Sequence, residues 1–210
     1  MENFNILSYN LGMKKFIITI FFAALSALCT TYAQEQTKTE EFDASSQEAR
    51  VLYAQNEIDQ ALKVLQTKGE AYRSAEDWLL IGNILQDKDK LDEAIFMYKK
   101  AIEKDPKYYK AHYNLGYIYL AQEKPNMALD EFKKSVKYKD DFAYGYYNMG
   151  CAYLKLKQYR NARYNFFRAM DAKGDEPMIY YNLAYTFKKL NKEKQAQEYL
   201  DLYNKLMERQ

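Results

Sequence analysis

Along most of the chain, bulky and small apolar residues recur among polar ones at helical spacing. Tyr146, Met149, Gly150 and Tyr153 follow an i, i+3, i+4, i+7 pattern, and Ala162, Phe166 and Ala169 continue it on the next segment. This predicts a helix, a short turn and a second helix, with one face closed on itself and the other needing a neighbour. The pattern also returns. His112–Leu120 reappears as Tyr146–Leu154 and again as Tyr180–Lys188, each copy 34 residues after the last, and Trp78–Gln86 falls in the same frame. A fixed period of that size marks a repeat array, in which each unit buries its open face on the next.

Within each copy a small residue is followed 12 residues later by alanine: Gly82 with Ala94, Gly116 with Ala128, Gly150 with Ala162 and Ala184 with Ala196. Such pairs suit two antiparallel helices whose backbones cross closely, because a larger side chain there would overpack the crossing by roughly 1–3 kcal/mol. The order Trp78, Ile81, Gly82, Leu85, Ala94, Tyr98, Ala101, Pro106 resembles the tetratricopeptide-repeat family almost place by place. The resemblance covers residues 75–210. A weaker copy reaches back to 42, with Ala49 and Ala61 again 12 apart and Leu52 and Leu65 at the bulky places. The Pro106 place is Asp140 in one later copy and Gly174 in the next, residues that can still end a helix.

The resemblance implies an all-α fold of tandem helix-turn-helix repeats, a TPR-like α-solenoid of about five repeats. They would be a divergent repeat at 42–74, then 75–108, 109–142, 143–176 and 177–210, the last also serving as the C-terminal cap. Pro125 and Pro177 fall where helices should begin, and Asp105-Pro106 and Lys173-Gly174-Asp175 read as stops. Glu193–Gln210 carries enough charge to face water at the end of the array.

Ahead of the repeats, Met1–Gly12 has no cation and no period. Met13-Lys14-Lys15 followed by the apolar run Phe16–Leu28 and the small-residue site Thr31-Tyr32-Ala33 reads as a secretory signal peptide. Residues 1–33 are therefore expected to be a leader with its start at Met13 and Gln34 the first mature residue. Two alternatives stay open: an uncleaved membrane anchor, and lipid attachment at Cys29, against which Leu28 is large for the place before the cysteine. Each puts the repeats outside the cytoplasm, in the periplasm or cell envelope. Residues 34–41, polar and without an apolar face, are expected to form a flexible tether.

Charge and composition narrow the chemistry. The net charge is +2 and becomes +1 when Glu2, Lys14 and Lys15 leave with the leader. A nearly neutral chain is poorly suited to phosphate-driven nucleic-acid binding, so Lys133, Lys134, Lys137 and Lys139 read as a solvated helix face. His112 is the one histidine; it takes the place of Trp78, Tyr146 and Tyr180 and reads as packing. No cysteine or histidine cluster has metal-ligand spacing and no glycine-rich loop could hold a phosphate, so neither cofactor, metal nor enzyme activity is expected. Cys151 would be the single cysteine of the mature chain, without an intramolecular partner, and its place inside a helix reads as shielded.

In the family that the chain resembles, the first helix of each repeat lines a concave groove. Carried onto this sequence, that surface holds Lys110, Tyr113, Asn114 and Tyr117, then Tyr144, Tyr147, Asn148, Cys151 and Lys155, then Tyr181, Asn182, Tyr185, Lys188 and Lys189. Asn114, Asn148 and Asn182 would form a ladder of amides able to meet the backbone of an extended peptide. The tyrosines would add flat apolar area with polar tips, and the lysines would favour an acidic or C-terminal carboxylate ligand. The competing reading of the Tyr-Asn pairs is packing between neighbouring helices. Leu79, Leu80 and Asn83 make the corresponding end of the groove more apolar. The full basic and amide set of the family's chaperone-tail binders is missing, so that ligand is not assigned.

The function expected on these grounds is a scaffold or adaptor of the cell envelope that binds a protein or peptide partner. Membrane contact would come only through the N-terminal segment, and nucleic acid is not a partner. The alternatives are a component self-associating through Glu193–Gln210, and a recognition subunit of an envelope enzyme complex whose tyrosines stack on sugar rings.

Overall fold

A turn residue with left-handed backbone recurs once per repeat and sets the helical hairpins. Asn56, Asp89, Glu123, Lys157 and Asn191 have φ between 57° and 65°. In these turns the following amide reaches five residues back: Lys90 N–H to Leu85 O (2.8 Å), Lys124 to Tyr119 (2.8 Å), Gln158 to Tyr153 (2.9 Å) and Lys192 to Phe187 (3.0 Å). These bonds satisfy carbonyls that the helix end would leave open, as a Schellman motif does.

The computed structural model describes the backbone of residues 3–172 and 176–208, and side chains from Ser26 onward within them except that of Thr39. Ten α-helices and one short 3-10 helix occur among the described residues, and no strand. The stop expected at Lys173-Gly174-Asp175 lies outside them, as do the side chains of the leader up to residue 25. The chain divides into two units, Met1–Tyr72 and Arg73–Gln210.

The first unit pairs α1 (Asn3–Ala54) with α2 (Ile58–Thr67), followed by a 3-10 turn at Glu70–Tyr72. Ala49 and Ala61 are fully buried and Leu65 nearly so. Lys68 is buried with them; its Nζ donates to Ser46 Oγ (2.8 Å) and lies over the Phe42 ring, which also packs against Tyr72. Residues 34–41, expected to be a tether, are instead part of α1. The reason is physical. Gln, Glu and Lys are good helix formers, Thr37 returns its hydroxyl to Ala33 O (2.7 Å), and the packed end of the same helix supplies the nucleus. Among the described residues no helix is long and apolar enough to cross a membrane.

The second unit is four helix pairs: α3 (Ala75–Asp87) with α4 (Leu91–Lys104), α5 (Tyr109–Ala121) with α6 (Pro125–Tyr138), α7 (Ala143–Lys155) with α8 (Tyr159–Asp171), and α9 (Pro177–Lys189) with α10 (Glu193–Met207). Ser74 opens it with a capping box, accepting from Asp77 N–H (3.1 Å) while Asp77 accepts from Ser74 N–H (2.8 Å). Pro125 and Pro177 stand at the first turns of α6 and α9.

The crossing inside each pair is between a glycine and a ring rather than between two bare backbones. A Cβ built on Gly82, Gly116 or Gly150 would lie 2.4, 2.8 or 2.5 Å from Tyr98, Phe132 or Phe166. Those three rings are the largest fully buried side chains, with Ala94, Ala128 and Ala162 equally buried beside them. Where the glycine is replaced by Ala49 or Ala184, the residue 16 places on is Leu65 or Leu200 instead of a ring. His112 is buried as a packing residue: its ring faces Glu131 Oε2 at 2.7 Å through Nδ1 and Pro106 O at 3.0 Å through Nε2, with Tyr138 alongside.

The far edge of the last pair is polar. On α8, Arg163 and Phe167 reach the Phe187 ring of the next pair. The equivalent residues of α10 are Gln197 and Asp201, hydrogen-bonded to each other at 2.8 Å.

Candidate functional site

The first helices of the second unit meet directly, α5 with α7 and α7 with α9, more closely than the second helices meet each other. The first helices therefore lie on the inner side of the curve, and the predicted site residues of α5, α7 and α9 are on that side. They separate into a floor and a surface.

The floor is held by hydrogen bonds between successive repeats. Asn148 Nδ2 donates to Tyr113 Oη (2.9 Å) and Asn182 Nδ2 to Tyr147 Oη (3.0 Å). Asn114 Nδ2 donates to Asn83 Oδ1 (2.8 Å), which also accepts from the Tyr98 hydroxyl (2.9 Å). The three asparagines are thus not an open ladder: an N–H of each is committed to the preceding repeat, and Asn148 is buried. The packing reading of the Tyr-Asn pairs is what the geometry supports. Tyr113 and Tyr147 are half-buried below them, and burial pushes the Tyr113 hydroxyl up to about 12 against the opposing pull of the Asn148 bond. Burial raises the Tyr147 hydroxyl too, and lifts the Cys151 thiol beside it to about 11.

The surface is tyrosine. Tyr117, Tyr144, Tyr181 and Tyr185 are 48%, 53%, 44% and 44% exposed. Tyr144 Oη donates to Glu176 Oε1, just before α9 (3.3 Å), and Tyr181 packs on Tyr203 of α10. Lys110, Lys188 and Lys189 are exposed, with Lys189 Nζ 5.4 Å from the Tyr185 ring centre. Lys155 is bound to Glu123 of the preceding repeat (2.5 Å) and so belongs to the inter-repeat ties. Leu79 and Leu80 are buried.

Glu123 and Glu176 were not singled out from the sequence, and Asn83 was named only as part of the more apolar end of the groove. Asn83 is an acceptor shared by two helices, and Glu123 and Glu176 sit in turns, where one carboxylate among many gives no periodic signal. Among the described residues no group of three acidic, histidine or cysteine side chains could hold a metal ion.

Comparison with known proteins agrees on the repeat fold. A family model described as TPR repeat matches residues 82–123, and one described as tetratricopeptide repeat matches 109–142, 143–171 and 179–206, together more than half of the chain. No curated protein matches the sequence. Among solved structures, MamA (residues 41 to the end) from Desulfovibrio magneticus RS-1 is similar at TM-score 0.71 and 19% identity, covering 80% of this chain and 96% of that one. MamA of AMB-1 gives 0.67 and 16%, covering 80% and 92%. PilF of Pseudomonas aeruginosa gives 0.70 and 19%, covering 79% and 76%. At these identities the likeness is one of fold.

Proposed function

Since the chain belongs to the tetratricopeptide-repeat family, we propose that it is a protein-binding scaffold that takes an extended peptide segment along the first helices of its last three repeats. The observation that carries this reading is the row of exposed tyrosines, Tyr117, Tyr144, Tyr181 and Tyr185, over a floor tied by hydrogen bonds. Large rings left in water on a rigid floor lose little freedom on binding and bury much apolar area, which suits them to partner contact. The working residues are these tyrosines with Lys110, Lys188 and Lys189. Tyr113, Tyr147, Asn114, Asn148, Asn182 and Lys155 hold the surface in shape.

The place of work in this proposal is the cell envelope, with the protein exported through residues 1–33. Its support is the sequence pattern of Lys14-Lys15, the apolar run Phe16–Leu28 and the Thr31-Tyr32-Ala33 site. Self-association through the C-terminal end has less support, because Gln197 and Asp201 make the open edge of α10 polar.

The test is affinity capture from the native host's envelope fraction, comparing wild type with Tyr144→Ala/Tyr181→Ala/Tyr185→Ala after circular dichroism shows both folded. A partner recovered by wild type and lost by the variant is the expected result. The same partner with both would place binding elsewhere. The asparagines are unsuitable for this test, since their removal loosens the floor.

A further inference from the structure

The first helices of the last three repeats contain no carboxylate. α5, α7 and α9, 13 residues each, carry Lys110, Lys155, Lys188 and Lys189 and no Asp or Glu, although the whole chain has 29 acidic residues against 31 basic ones. By contrast α3 carries Glu76, Asp77 and Asp87 and no base. The acidic residues of repeats three to five stand on the second helices and in the turns. Among the described residues, Glu123 and Glu176 reach the tyrosine surface, where Glu123 is paired with Lys155 and Glu176 accepts from the Tyr144 hydroxyl. Among the described residues, none of Lys110, Lys188 and Lys189 has a carboxylate within ion-pair distance. The surface is therefore aromatic, and its exposed lysines outnumber the carboxylates beside them that no lysine pairs.

A cleft with an excess of positive charge raises the local concentration of the opposite charge and disfavours like charge. The tyrosine hydroxyls and lysine ammonium groups are hydrogen-bond donors, so they call for an acceptor-rich ligand. Neutral sugars are a poorer match, because the two carboxylates at this surface are already engaged by Lys155 and Tyr144 and an N–H of each floor amide is committed. We propose that the segment bound here is acidic: an extended stretch of a protein whose carboxylates meet Lys110, Lys188 and Lys189 while apolar or proline side chains between them lie on Tyr117, Tyr144, Tyr181 and Tyr185. This rests on the groove reading above and assigns its partner class.

The test uses the folded full chain and fluorescein-labelled peptides of repeating Glu-Pro-Glu-Phe, with Gln-Pro-Gln-Phe and Lys-Pro-Lys-Phe as counterparts, read by anisotropy. The Glu peptide should bind about tenfold more tightly than the Gln peptide, and the Lys peptide more weakly than either. The preference should hold at about 0.1 M salt and vanish at about 1 M, where the screening length falls from about 10 Å to about 3 Å. Lys110→Glu/Lys188→Glu/Lys189→Glu should invert it, and Tyr144→Ala/Tyr181→Ala/Tyr185→Ala should weaken all three peptides. Equal affinity for Glu and Gln peptides, still lost in the tyrosine variant, overturns the acidic assignment and leaves the groove standing. Selective binding untouched by both variants overturns the groove itself. No binding of any peptide by the folded chain, or tighter binding of polygalacturonate than of the Glu peptide, overturns the assignment to an acidic protein segment.

Discussion

Gly116 has no room for a methyl group because the Phe132 ring would lie 2.8 Å from its Cβ. The same contact recurs with Gly82 and Tyr98 and with Gly150 and Phe166, whereas Ala49 and Ala184 are matched by Leu65 and Leu200. Small residue and filler change together along the chain. Gly116→Ala should destabilise by about 1–3 kcal/mol, and Phe132→Leu should do so through the space it leaves. Combined, they should cost less than the sum, with a coupling of about 0.5–3 kcal/mol. Chemical denaturation of the four proteins measures it; strict additivity would mean that the ring and the glycine are not in contact.

Lys157 takes a left-handed conformation, φ 57°, that costs a side chain about 1–2 kcal/mol and costs glycine nothing sterically. After allowance for glycine's greater unfolded-state freedom, Lys157→Gly should stabilise by about 0.5–1 kcal/mol and raise Tm by a few degrees. Lys157→Val should lower it. A fall in Tm with glycine would show that the turn is not left-handed.

The Asn148–Tyr113 bond joins two repeats at 2.9 Å. Asn148→Ala should cost about 1 kcal/mol or more, since it leaves a half-buried hydroxyl short of a donor. Tyr113→Phe should remove most of that penalty, so a double-mutant cycle by urea unfolding should show coupling of about 0.5–1.5 kcal/mol.

Burial alone would raise the Glu131 carboxyl, but its bonds to His112 and Lys134 outweigh this and hold it below the ordinary carboxylate value. A carboxyl lowered in the fold contributes stability that is complete above its unfolded value of about 4.3 and is lost as pH falls through its folded value. The Tm gap between wild type and Glu131→Gln should therefore be level near neutrality and shrink below about pH 4. A gap independent of pH down to about pH 3 would contradict the assignment.

Cys151, with its thiol raised to about 11, is almost wholly protonated at pH 8. In a Cys29→Ser background it should react with a disulfide reagent roughly 100-fold more slowly than an ordinary thiol near 8.5, and at the ordinary rate in denaturant. Rapid reaction in the native state would mean that the helix does not cover it.

The repeat frame was legible in the sequence because side-chain size at Gly82, Gly116 and Gly150 and at Tyr98, Phe132 and Phe166 is set by packing, and packing recurs with the period. The left-handed turn residues were not, since Asn56, Asp89, Glu123, Lys157 and Asn191 include none of the glycines that usually mark such a turn. Three of the five are Asn or Asp, which accept that conformation, but they sit among many polar residues and so gave no distinct signal. The stretch at 34–41 misled for another reason: its polar composition suits disorder and helix alike, and only continuity with the packed end of α1 decides. At the site, the family resemblance pointed to the first helices, and the period picked out their recurring tyrosines and asparagines. It did not tell the asparagines that tie repeats together from residues open to a ligand, because both recur every 34 residues.

Each amide across the groove floor answers to a partner one repeat earlier, so the joints are interchangeable. Excision of residues 109–142, one whole unit, would bring Asn148 to the place of Asn114, with Asn83 waiting as its acceptor. A cut of any other length would set amides against side chains that cannot receive them. The array can thus be shortened or lengthened in whole units without redesigning a joint, and the reach of its tyrosine row becomes a matter of how many units are kept.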